Sequence, residues 1–64
     1  MNNEKVTVTL ELNKDEARAL AQFVKRTSHS DCEDKATSQN EAYLMMDGVN
    51  AVMKSLAEEG ISPR

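Results

Sequence analysis

The densest run of reactive side chains in this sequence is His29-Ser30-Asp31-Cys32-Glu33-Asp34. Imidazole, thiolate and carboxylate are the ligands of zinc, and carboxylates alone suffice for calcium. The run nevertheless lacks a Cys-x-x-Cys pair, a His-x-x-x-His pair and the glycine of a calcium loop. Cys32 is the only cysteine, which also rules out a disulfide within the chain. A Cys–His nucleophile would need a third, orienting group and rigid oxyanion donors, and a polar connector offers neither. The run therefore reads as a solvated acidic surface. No catalytic residue, metal ligand or cofactor is assigned, and an enzyme is not expected. What the surface can do is meet another protein. Asp31, Glu33, Asp34 and Tyr43, the only tyrosine, are the candidates to contact a partner.

A second set with recognisable chemistry is Lys5, Thr7, Thr9 and Glu11, which alternate with Val6, Val8, Leu10 and Leu12. Threonine can touch the thymine methyl, glutamate can accept from cytosine and lysine can donate to guanine. On an exposed strand these four are candidates for DNA contact. The glutamate and the formal net charge of −3 work against that use, and an ordinary solvent face is favoured. The acidity is concentrated in one half. Five basic and four acidic residues fall in 1–26, whereas three basic and seven acidic residues fall in 27–64. Such a surface suits a basic protein partner.

The elements that must position these groups follow from periodicity and caps. Residues 5–12 alternate strictly and predict a half-buried strand with Val6, Val8, Leu10 and Leu12 on its inner face. No second stretch of this kind exists, so the strand is expected to pair with that of another molecule. Asn13 with Glu16 forms a capping-box pattern that opens a helix over about 14–26, with Ala17, Leu20, Ala21 and Val24 on one face and Phe23 widening it. Residues 27–37 read as a long polar connector, with room for a short helical turn near Asp31–Ala36. Ser38 with Glu41 opens a second helix over about 39–59. Gly60 stops it, Ile61 folds back onto Leu56, and Pro63 prevents resumption. Gly48, in mid-helix, predicts a close backbone crossing.

Sixty-four residues make one small domain, too small to be stable without support. With no disulfide available, a homodimer is the expected support. Its interface is expected to take Val6, Val8, Leu10 and Leu12 from the strand and Met45, Val49, Val52, Met53 and Leu56 from the second helix. The fold class expected is α+β, mostly α. No apolar run is long enough to span a membrane. Met1-Asn2-Asn3-Glu4 lacks the basic flank and apolar core of a secretory signal, and a lone cysteine fits a reducing compartment.

Strand, helix, connector, helix is an order that resembles the ribbon-helix-helix protomer, whose strands pair antiparallel across a homodimer. That resemblance implies an operator-binding regulator reading DNA through Lys5, Thr7, Thr9 and Glu11. The connector is longer than in that family and has no glycine. A second resemblance lies in Ala21-Gln22-Phe23-Val24-Lys25-Arg26, Glu41-Ala42-Tyr43 and Leu56-Ala57-Glu58-Glu59-Gly60-Ile61-Ser62-Pro63-Arg64. These blocks are similar to small uncharacterised proteins of bacteriophages, prophages and plasmids. They imply a cytoplasmic accessory protein of a bacterial host cell, acting as a dimeric interaction module that modulates or inhibits a host or defence protein.

Overall fold

Residues 4–62 are described by a computed structural model. Three helices follow one another: α1 (Lys14–Arg26), α2 (His29–Lys35) and α3 (Gln39–Glu58). Among the described residues there is no strand, so the expected α+β, ribbon-helix-helix protomer is corrected to an all-helical one. Residues 5–12 form an arm with neither helix nor ladder. The physical reason is that alternation only assigns side chains to faces, while a strand exists where a second strand completes its backbone hydrogen bonds. This chain has no second stretch to do so. Within the connector, the place left for a short helical turn near Asp31–Ala36 is taken by α2, which begins two residues earlier.

Each helix begins on a side-chain cap. At α1, Asn13 Oδ1 accepts from the Glu16 N–H at 2.8 Å, and Glu16 Oε1 accepts from the Asn13 N–H at 3.0 Å. Asp15 and Glu16 in its first turn and Lys25 and Arg26 in its last complement the helix dipole. At α2 the same device is built from Ser28 and Asp31. The serine Oγ accepts from the Asp31 N–H at 3.2 Å, and Asp31 Oδ2 accepts from the Ser28 N–H at 2.8 Å. At α3, Ser38 Oγ accepts from the Glu41 N–H at 3.1 Å. Here the expected box is altered. Glu41 Oε1 accepts from the N–H of Thr37, one residue earlier than the cap, at 2.8 Å.

The stop of α3 is the expected glycine one. Gly60 has φ of +82°, in the left-handed region that glycine reaches without a Cβ penalty. Ile61 N–H donates to the Leu56 carbonyl, which also accepts from the Glu59 N–H at 3.0 Å, and Gly60 N–H donates to the Ala57 carbonyl, the first and last bonds at 2.9 Å. Pro63 lies outside the described residues.

Packing is organised by α3, against which both α1 and α2 lie. α1 and α2 each contact α3 but not each other, so the helices lie side by side along α3 as a slab rather than enclosing a shared centre, and the chain extends over 34 × 26 × 14 Å. A stable domain ordinarily closes its core between two layers, and this chain supplies one. The radius of gyration, 12.7 Å, exceeds the roughly 10.7 Å of a compact chain of this length. The buried side chains are accordingly small: Ala17, Ala21, Val24, Cys32 and Ala42, the last fully enclosed. No large side chain is fully buried among the described residues. Gly48 is a further correction. A Cβ placed on it would meet nothing within 4 Å, so no close crossing occurs there within the chain.

Candidate functional site

A one-layer slab leaves apolar surface on its faces, and two recesses collect most of it. The first is a groove of about 970 Å³ between the arm, the start of α1 and the C-terminal half of α3. Val6, Val8, Leu10 and Leu12 line it together with Val52, Leu56 and Ile61. The four arm residues are 84, 75, 60 and 40% exposed, burying progressively as the chain nears α1. Thr7 and Glu11 line the same groove. Of the four residues considered for DNA contact, Thr7 and Glu11 thus lie with the apolar ones in the groove, whereas Lys5 and Thr9 do not line it.

The second recess is a cleft of about 530 Å³ where the end of α1, α2 and the first half of α3 meet. Phe23, Cys32, Met45 and Val49 supply its apolar wall, with Arg26, Thr27, Asp31 and Lys35 around them. Phe23 widens the α1 face as the sequence indicates, yet it is 66% exposed, because the slab has no second layer to cover it. The residues expected in one dimer interface are thus divided. Val6, Val8, Leu10, Leu12, Val52 and Leu56 share the groove, whereas Met45 and Val49 belong to the cleft. Met53 is half-buried and lines neither.

The acidic candidates separate in a similar way. Asp31 is occupied locally: its Oδ2 accepts from the Ser28 N–H and, at 3.0 Å, from the Ser28 hydroxyl. These bonds, first the backbone one and then the hydroxyl, hold its carboxyl below the usual aspartate range, and Lys35 adds a smaller pull in the same direction. Glu33 reaches across to α3 by accepting from Gln39 Nε2, and it lies 4.0 Å from His29 Nε2. The His29 ring in turn rests on Tyr43, with centroids 4.7 Å apart and planes tilted by 31°. His29, Glu33, Gln39 and Tyr43 therefore form one continuous surface across α2 and α3. Tyr43 is 62% exposed within it, beside exposed Leu44. Asp34 is exposed on α2.

Cys32, alone in the acidic run, turns inward and is buried. Among the described residues no three histidine, cysteine, aspartate or glutamate side chains are grouped to hold a metal ion. No helix there is long and apolar enough to cross a membrane. Sequence reasoning placed no weight on Cys32 as a core residue or on Phe23 as a surface one. The signal available for α2 was Ser28-x-x-Asp31, a capping-box pattern with aspartate in place of glutamate.

The chain belongs to a family of unknown function, DUF7706, whose sequence model matches residues 1–64. No curated protein and no solved structure matches it.

Proposed function

We propose that this chain is a non-enzymatic protein-interaction module that works as a homodimer and offers an acidic, aromatic surface to a basic partner. The observation that carries the reading is the unclosed groove along the arm and α3. Val6, Val8 and Leu10 are more exposed than covered and Leu12 is 40% exposed, a contiguous run of apolar side chains of the kind that marks an interaction surface. The exposed flank of α3 beside them, with Ala51 and Val52, extends that area. A second copy is the occupant that such a chain always has at hand, and it provides the missing layer.

The partner-facing surface is the one formed by Tyr43, Glu33 and His29, with Asp47 one helical turn beyond Tyr43. An exposed aromatic ring held by a stacked neighbour is a preformed anchor, and carboxylates near it favour an arginine or lysine laid over the ring. Asp31 takes no part, since its carboxylate is spent in capping α2. Occupying a surface on another protein is an action that needs no catalytic group.

Sedimentation equilibrium across a concentration series tests the first part. The expected mass is that of two chains, falling toward one on dilution, and Val8→Asp with Leu10→Asp should give a monomer at all concentrations. A wild-type chain that stays monomeric at every concentration overturns it. For the second part, an arginine-rich peptide titrated into labelled protein should shift Tyr43, Glu33 and Asp47 together. Equal shifts at Glu58 and Glu59 would reduce the effect to general charge attraction.

A further inference from the structure

The cleft on the other side of α3 has a chemistry that neither the dimer nor the acidic surface uses. Its wall is Phe23, Met45 and Val49 over the buried Cys32. Its polar neighbours divide into those already engaged and those still available. The Thr27 hydroxyl donates to the Phe23 carbonyl at 2.9 Å. The Asp31 carboxylate is turned onto Ser28. Arg26 and Lys35 form no salt bridge among the described residues, Lys35 acting on the Asp31 carboxylate only at longer range, and both are exposed at the rim. The rim thus carries two cations and one carboxylate, the latter bonded to the α2 cap, beside an almost wholly apolar wall.

We infer that this cleft is a docking site for an acidic segment of another protein, one that inserts a bulky apolar side chain between Phe23 and Met45 and places carboxylates against Arg26 and Lys35. Charge complementarity selects this occupant. A basic segment would meet two like charges at the rim, and a purely apolar one would leave both cations facing a poorly hydrated neighbour. Guanidinium and carboxylate pair in a two-pronged geometry, which gives Arg26 the larger share of orientation. Met45 adapts its unbranched side chain to the shape of what enters, so recognition rests on charge and bulk more than on one exact side chain. The site lies apart from the groove and carries the opposite charge preference from the surface around Tyr43. One small chain thereby holds two partner-facing surfaces of different sign.

The test uses the full chain and a defined probe: a fluorescein-labelled peptide with two leucines and one phenylalanine interspersed with glutamates. The same peptide with every glutamate replaced by glutamine serves as a comparison. Saturable binding is expected by anisotropy, with methyl shifts at Met45 and Val49 and ring shifts at Phe23. Arg26→Gln combined with Lys35→Gln should weaken binding at least tenfold, as should the glutamine peptide. Both substituted residues are exposed, and unchanged circular dichroism confirms that the helices persist. Peptide-induced shifts at Phe23, Met45 and Val49 without shifts at residues 6–12 separate this site from the dimer groove. The proposal is overturned by peptide affinity that ignores the loss of both cations, by shifts confined to residues 6–12, or by no saturation at millimolar peptide. Shifts at Met45 and Val49 that depend on protein concentration without peptide would also overturn it, since a second copy would then be the occupant.

Discussion

The groove and the cleft lie along different flanks of the same helix and are built in opposite ways. The cleft is bounded by three helices, each begun on its own cap, so its walls stand before anything binds. The groove has helices on one side only. Its other wall is the arm, which has neither helix nor ladder to hold it and exposes its valines and leucines. A preformed recess needs little ordering on binding, whereas the arm must be ordered by whatever covers it. The difference teaches how a single helical layer can divide its tasks: on the proposed reading, the capped end recognises and the uncapped arm completes the domain by association.

The largest effect is expected where the two halves depend on one residue. Ala42 is fully enclosed. Ala42→Leu should cost about 1–3 kcal/mol through overpacking, a large share of the stability of so small a domain. Thermal unfolding should show a much lower midpoint, and shifts should report the loss of both Tyr43 stacking and the cleft. If the midpoint is unmoved, α2 and α3 are not packed as described.

Next comes the groove itself. Val8→Asp with Leu10→Asp should lower self-association at least a hundredfold in sedimentation while leaving the resonances of Phe23, Met45 and Val49 in place. Loss of those resonances together with association would show that the cleft is not preformed and would erase the contrast.

A smaller and more local effect concerns the α2 cap. Ser28→Ala should cost about 1 kcal/mol, within the usual range for a helix cap, and amide exchange should speed up in α2 more than in α1. Asp31 adds a pH dependence. Its folded carboxyl titrates below its unfolded one, so its contribution is present above the unfolded pKa and is lost as pH falls through the folded value. Lys35 on the same helix acts on that carboxyl in the same direction as the cap. Protection factors at α2, which divide out the base catalysis of exchange itself, should therefore fall below about pH 4, near the ordinary aspartate range. A fall in those protection factors on raising the pH from 5 to 8 would contradict the cap.

The smallest effect is also the one that distinguishes intrachain from interchain packing. Gly48 is in mid-helix with open space around its missing Cβ. Gly48→Ala should raise stability by about 1 kcal/mol from helix propensity alone. A fall in dimer affinity in the same variant would place a second copy against that flank of α3 and extend the groove interface toward Leu44.

Much of this was legible in the chain because caps and stops are local. Asn13 and Glu16, Ser38, and Gly60 with Ile61 each find their partners within five residues, and α1 and α3 fall where those residues indicate. α2 was half legible: its box residues are present, but a polar seven-residue helix has no apolar period to announce it. The strand was misjudged from sound alternation in 5–12. A ladder is a property of two segments, and pattern within one says nothing about whether the second exists. Of the site, the acidic surface was visible as composition, while the spending of Asp31 on Ser28 and the stacking of His29 on Tyr43 were not.

Read alone, the residues determined where the two long helices start and stop, that Cys32 has no disulfide partner, and that so small a core would be poor, because each of these depends on near neighbours or simple counting. Only the tertiary structure decided that α3 would serve as the shared element of a single layer. It alone parted Met45 and Val49 from Val52 and Leu56, and left Arg26 and Lys35 beside an apolar wall. Those outcomes depend on how helices distant in sequence cross one another, and neither periodicity nor caps specify a crossing.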